Sequence, residues 1–303
     1  MIVGKRSPLG GWLGPPVLFL APALILFLLL FAIPAVSSLY VSLCKWTGFT
    51  PQMEFRGLRN FYKLFFEDTK FWHAIRNNML WIMLIGGVAF FTFAFLFAGA
   101  LNSKFLRGRK FFQTMIFFPA FISVVGTATF WKLMYDPSSG LINMMLGAMG
   151  VKGPKWMSPD NAIKSIIIMM VWAGVGGTMI LLLAGMRRIP KDYYEAAEID
   201  GASSTQQFFH VTVPMMREII LIALSLWMIG SMKTFGGVQT MLGPSINANN
   251  QVISTLQYEY AFSNRSCIFM MGRATAMAVV QVILVLGLVG VVRLFREKKS
   301  VEY

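Results

Sequence analysis

Five stretches of this chain are long and apolar enough to cross a lipid bilayer, and they constrain everything else it can fold into. A helix rises about 1.5 Å per residue and the hydrocarbon core is about 30 Å thick, so a span needs about 20 apolar residues. Residues 17–41, 79–101, 111–134, 166–186 and 274–294 meet that requirement. Polar interruptions are few: Thr92 in the second, Thr178 in the fourth, and Gln113, Ser123 and several threonines in the third. A sixth stretch, Ile219 to Met232, is short, but it becomes a full span if it continues to Met241 through Lys233, Thr234, Gly236, Gly237 and Gln239. Such a polar second half is tolerated at membrane depth only where it lines protein or a watery cavity. The expectation is an all-α integral membrane protein of six transmembrane helices, forming one domain over residues 1–303.

The charged residues agree. They make up only 13% of the 303 residues, against roughly 25% in soluble domains. The net charge of +14 comes from basic residues in short clusters between apolar runs, the usual membrane-protein pattern. A nucleic-acid partner would need one basic stripe on a soluble face, so none is expected. Membrane lipid is the expected surrounding. Lys5 and Arg6 before an apolar run resemble a signal peptide. The run from Val17 to Val36 exceeds the usual 7–15-residue signal core and meets no small-residue cleavage site, so it reads as a retained helix. Cys44 and Cys267 have no metal-ligand spacing and make no disulfide framework. They read as free thiols on one side of the membrane, where a bond between them stays open.

Orientation follows from where basic residues crowd. Lys104, Arg107, Arg109 and Lys110 share one short loop, and Arg293, Arg296, Lys298 and Lys299 follow the last span. Raw totals on the two sides are nearly even, so density decides, and both termini are expected on the cytoplasmic side. The outer loops hold breaker-rich runs at Thr47–Pro51, Asp136–Gly140, Gly153–Pro159 and Gly243–Asn250, which read as irregular. A short amphipathic helix is expected near Leu58–Phe66.

The inner loop, residues 187–218, has a different grammar. Pro190 suits a helix start, and Asp192 and Glu195 complement the dipole of the first turns. Gly201 fits the left-handed position just past a helix end. Ser203 with Gln206, or Ser204 with Gln207, makes a capping box for a second helix, which Pro214 should stop. The product is a helix–glycine turn–helix. Ala196 and Ala197 would permit close approach, and Tyr193, Tyr194 and Ile199 would supply apolar anchors, a ridge suited to a partner's groove. On residues alone, an ordinary amphipathic interfacial loop explains it equally well.

The run Glu195-Ala196-Ala197, Asp200-Gly201-Ala202, Phe208 and Pro214 resembles the EAA loop of binding-protein-dependent ABC importer permeases, at the carbohydrate branch's spacing. That branch is the maltose and glycerol-phosphate type. Gly57-Leu58-Arg59-Asn60-Phe61 is similar to the family's segment after the first span. Lys233, Phe235, Gly243 and Pro244 are similar to its segment ending in Gly-Gly-Pro, and Tyr258, Tyr260, Ala261 and Phe262 to the segment before the last span. Gly236, Leu242 and Met271-Gly272-Arg273 depart from the pattern in the pathway and outer regions, which obscures the particular solute but not the coupling loop.

The resemblance implies the type I importer permease fold in a bacterial cytoplasmic (inner) membrane. It implies a second, non-identical permease, two ATP-binding subunits and an extracytoplasmic solute-binding protein. It also makes Tyr193, Tyr194, Glu195, Ala196, Ala197, Asp200, Gly201, Ala202, Phe208 and Pro214 the contact with an ATPase subunit. The chain lacks a G-x-x-x-x-G-K-[S/T] phosphate loop. ATP and Mg are therefore expected on the partner subunits, with no cofactor, metal or catalytic residue here. Neither His73 nor His210 sits in a metal pattern. No serine elbow or intramembrane carboxylate pair suggests a hydrolase.

For a substrate pathway the candidates are Trp131, Tyr135, Trp172, Lys233, Gln239, Asn247 and Tyr258. Sugar recognition needs flat aromatic faces and a few hydrogen-bonding groups, and an intramembrane lysine must face protein or water. Each of these residues is also explained by packing or by the interfacial belt. Two other functions remain open at this point: import of a different polar solute such as a glycerol phosphate, and a channel or scaffold without an ATPase.

Overall fold

The computed structural model describes residues 15–103, 106–262 and 270–297. Four helices are long and apolar enough to cross a membrane: α1 (Phe19–Ser42), α3 (Thr69–Asn102), α7 (Ala162–Met186) and α13 (Met271–Glu297). Two further crossings are bent. Helix α4 (Arg109–Phe121) meets α5 (Val124–Met134) at 102°, and α9 (Ser204–Met215) meets α10 (Arg217–Met232) at 75°. The described residues thus hold four candidate spans, or up to six if each bent pair counts as one. The expected third span, residues 111–134, is bent: Pro119 closes α4 in a tight turn, Ile122 is extended, and the Ser123 hydroxyl accepts the Gly126 N–H to start α5 afresh. Gly176 of α7 makes room for this bend, since a Cβ there would sit 2.4 Å from the Ile116 carbonyl oxygen.

The fifth span departs from expectation as well. Helix α10 ends at Met232 rather than running to Met241, and a separate helix α11 (Gly236–Leu242) follows. A helix can stop inside a membrane protein only if its last carbonyls find donors. They do: Asn78 Nδ2 donates to Ser231 O at 2.9 Å, while Ser254 Oγ and Gln281 Nε2 donate to Met232 O.

The outer connections are more ordered than breaker-rich sequence suggests. They contain a two-stranded antiparallel ribbon, β1 (Cys44–Lys45) with β2 (Glu54–Phe55), and helices α2 (Arg59–Phe66), α6 (Leu141–Ala148) and α12 (Ile253–Phe262). Only α2 was expected. Asp136 binds the turn before α6, accepting from the N–H and hydroxyl groups of Ser138 and Ser139. These bonds, that from the Ser139 N–H foremost, hold its carboxyl well below the usual carboxylate range. Cys44 is buried and free, and Cys267 lies outside the described residues.

Helix α3 organises the whole. It packs along α7, and its ends serve different ends of the molecule. At its start Asp68 accepts from Tyr260 Oη of α12 at 2.6 Å, and Asn77 Nδ2 donates to carbonyls of residues 249 and 251 at 3.1 and 2.9 Å. Near its other end Phe90, Ala94, Ala98 and Leu101 join Met179, Leu182, Met186, Met216 and Trp227 in a core cluster. Lipid tails are as apolar as these side chains, so close packing and internal hydrogen bonds hold the helices together. By contrast, none of the apolar window of α1 is buried.

Candidate functional site: a helical hairpin and an outer cleft

The loop between α7 and α10 folds as helix α8 (Lys191–Ile199), a turn at Gly201, and α9. Pro190 caps α8 from just outside it, and Asp192 lies in the first turn. The turn is closed by two bonds: Ala202 N–H to Ala197 O at 2.9 Å and Gly201 N–H to Glu198 O at 3.0 Å. This is the Schellman arrangement, which needs a left-handed residue, and Gly201 has φ +78°. Ser203 and Gln206 form the capping box of α9, settling which of the two possible pairs is used. Pro214 does not stop α9: it falls in the first turn of the terminal segment Val213–Met215, and the break comes after it, at buried Met216.

One face of this hairpin is pinned to the bundle and the other is bare. Tyr194 Oη lies 2.9 Å from Thr212 Oγ1, joining α8 to α9. The Phe208 ring meets Phe95 of α3 edge-on at 5.9 Å and packs on the core cluster. Outward stand Ile199, 87% exposed, with Tyr193 and Phe209. Glu195, Ala196, Asp200 and Gly201 are exposed beside them, and Ala197 and Ala202 are half-buried. The residues expected to meet an ATPase thus lie on one hairpin, but not all point away from the bundle. Phe208 and Tyr194 face inward.

At the opposite end of α3 opens a cleft of about 590 Å³. It brings together three expected pathway residues: Gln239 of α11, Asn247 of the following loop and Tyr258 of α12. Lys70 and Glu259, paired at 3.1 Å across the cleft, were missed by sequence reasoning, as were Gln251 and Thr255. Their only signal was polarity within outer segments. Tyr258 also stacks obliquely on Phe235 at 5.4 Å. Lys233 lies outside the cleft's lining, exposed at the end of α10.

The aromatic candidates of the third and fourth spans lie elsewhere. Trp131 packs against Trp172 at 5.8 Å and Tyr135 at 5.2 Å. Tyr135 is 0% exposed, stacked on Trp156, and its hydroxyl donates to Ser165 O at 3.1 Å. Burial pushes the phenol's pKa up and keeps it neutral. Tyr135 thus joins the core cluster of α5, α7 and α11. The Tyr260 phenol, in the cleft's supporting layer, is raised likewise by burial and by its bond to Asp68.

Between these two sites lies a groove of about 430 Å³ that sequence reasoning also missed. The bend at Pro119–Val124 forms one wall, Met169–Gly174 of α7 another, and Leu226, Trp227 and Gly230 of α10 a third. The Thr127 hydroxyl lines it and is buried with no protein partner among the described residues.

A bundle of spans with broken helices around a mid-depth groove, an open cleft at one end and a bare helical hairpin at the other defines a membrane transport subunit. Residues 12–300 match the family described as "Binding-protein-dependent transport system inner membrane component", and the chain belongs to that family. It is similar to "Probable ABC transporter permease protein YurN" of Bacillus subtilis, 35% identical over 90% of this chain and 92% of the relative. It is similar also to "Trehalose/maltose transport system permease protein MalF" of Thermococcus litoralis, 31% identical over 80% of this chain and 82% of that one. A solved bacterial ABC transporter for import of the acidic polysaccharide alginate contains a chain of the same fold. Its TM-score is 0.77 at 24% identity, covering 94% of this chain and 96% of that one. The chain is thus the permease, not an enzyme, of an importer in the inner membrane.

Proposed function

We propose that this permease forms one half of the translocation pathway of an ATP-driven sugar or oligosaccharide importer, with a second, non-identical permease supplying the other half. The hairpin around Gly201 seats in a groove of an ATP-binding subunit, which holds the ATP and Mg. Both bent helix pairs cross the membrane, giving six spans with the termini and the hairpin on the cytoplasmic side. The outer cleft then faces an extracytoplasmic binding protein. Gln239, Asn247 and Tyr258 offer an arriving sugar hydrogen bonds and an aromatic face, and Trp131, Trp172 and Lys233 are the further candidates for its path. The carbohydrate assignment is supported by the trehalose/maltose relative.

The observation that carries this reading is the asymmetry of the hairpin: Phe208 half-buried against α3, Ile199 almost fully exposed. A lever needs one attached face and one face for its driver. Driving a two-state permease from 1:99 to 99:1 takes about 5.5 kcal/mol of differential binding, and the hairpin must transmit it. The test is Ala197→Cys crosslinking in membranes carrying the assembled transporter. Capture of a nucleotide-binding polypeptide, with uptake of labelled maltose or trehalose lost on crosslinking, is expected. Failure to reach any such polypeptide, together with solute flux that continues without ATP, would replace the importer reading by a channel.

A further inference from the structure

At the same end of the molecule as the outer cleft, but on its other flank, five cations line one cavity of about 300 Å³: Lys45 of β1, Arg56, Arg59 and Lys63 on or beside α2, and Arg273 of α13. Among the described residues the carboxylate that meets these cations directly, Glu54, is spent on Arg56 at 2.8 Å, which lowers the pKa of the one and raises that of the other, and Asp68, near Arg273, is bonded to the Tyr260 hydroxyl. Arg56 Nε is buried and has no protein acceptor among the described residues. Like charges do not gather without an anion to offset their repulsion.

The cavity is also built rather than incidental. Asn60 Nδ2 donates to both Ser42 O and Cys44 O at 2.8 Å, fixing α2 onto the end of α1. The Gly272 N–H donates to Trp46 O at 3.1 Å, which ties in the start of α13, and the Arg273 guanidinium lies over the Tyr260 ring at 5.7 Å. The cations therefore converge from three elements in fixed relation. The walls come from the end of α1, the ribbon and α2 that follow it, and the start of α13, so the cavity lies at head-group depth when α1 and α13 cross the bilayer.

A second observation says what kind of anion. Beside the cavity, α2 presents Leu58, Tyr62 and Phe66, spaced four residues apart, at 71%, 57% and 75% exposure. Phe55 of β2 stands exposed next to them, stacked on Tyr40 of α1. An apolar stripe with an aromatic at this depth lies in the interface plane and continues the lipid-facing surface of α1. A phosphate held in the cavity would have its acyl chains led directly along that stripe.

We infer that this cavity binds the phosphate head group of an anionic phospholipid, with Lys45, Arg59 and Lys63 as its free cations and Arg56 and Arg273 as its fixed ones. The inference does not depend on which sugar is carried or on how the hairpin couples.

The test uses the assembled transporter in nanodiscs, with retained lipid read by native mass spectrometry. Phosphatidylglycerol should be retained about tenfold over phosphatidylcholine, because charge-assisted bonds to phosphate are joined by the lipid's net charge. The triple variant K45Q/R59Q/K63Q should lose that preference, whereas the charge-keeping K45R/R59K/K63R should retain it, which separates a lost site from a lost fold. Equal retention of phosphatidylglycerol by wild type and the glutamine variant would overturn the proposal. So would binding of inorganic phosphate alone with no preference among lipids, which would make the site one for a free anion. Unchanged lipid retention with loss of stimulation by the binding protein would assign the cavity to protein docking instead, and overturn it equally.

Discussion

At the scale of single residues, Gly201 is the hairpin position at which the backbone itself restricts the side chain. A Cβ at Gly201 would meet nothing within 4 Å, so only its backbone angle resists substitution. A left-handed residue with a side chain costs about 1–2 kcal/mol, much less for asparagine, and most for a β-branched residue. Gly201→Val should therefore abolish uptake while the protein still accumulates in membranes, and Gly201→Asn should keep most of it. Transport assays alongside immunoblots of membrane fractions check both, and equal uptake in the two variants would refute the role given to the turn. Tyr194→Phe is a subtler case: it removes the bond to Thr212, worth about 0.5–1.5 kcal/mol, and should lower uptake several-fold without altering membrane levels. The Gly201 turn was legible in sequence because its signals are local, a helix stop followed by a capping box. The burial of Tyr135 was not, because it depends on Trp156 and Ser165, which lie in another segment of the chain.

Whole elements were legible in composition but not in direction. Hydropathy counts apolar residues, so it found the third span, yet it carries no information that Pro119 and Ser123 turn the chain through 102°. The fifth span shows the same limit from the other side. Its short apolar run was visible, but the stop at Met232 depends on donors from α3, α12 and α13 that no local window contains. Asn78 is the strongest of these: it is fully buried, donates to Ser231 O and accepts the Ile253 N–H at 2.8 Å. Asn78→Ala strips the buried Ile253 N–H of its acceptor, at a cost of about 1–3 kcal/mol. Ser254→Ala loses only a 3.3 Å bond and should cost less than about 1 kcal/mol. Thermal unfolding in detergent should separate the two variants clearly, and equal melting temperatures would mean that the α10 stop is not held by Asn78.

For the whole molecule the question is how a push at the hairpin reaches a cleft at the far end. Helix α3 has 34 residues, about 51 Å at 1.5 Å per residue, and it touches both sites. Phe95 meets Phe208 of the hairpin at one end, while Asn77 and Asp68 hold the segments that frame the cleft at the other. Like α7, along which it packs, α3 runs on where α4–α5 and α10–α11 are interrupted beside the central groove. A rigid strut among hinged pieces transmits displacement only if the hairpin is firmly seated on it, and Phe208 makes that seat. Truncating a buried phenylalanine costs about 3–5 kcal/mol, and a half-buried one correspondingly less. That is a large share of the roughly 5.5 kcal/mol that complete switching demands. Phe208→Ala should therefore leave the assembled transporter hydrolysing ATP, because the outward face with Ile199 and Tyr193 is untouched, but cut the solute moved per ATP several-fold. Parallel measurement of hydrolysis and uptake in proteoliposomes decides it. A proportional fall in both would mean that Phe208 matters for docking the ATP-binding subunit, and an unchanged ratio with full activity would mean that the push takes another route.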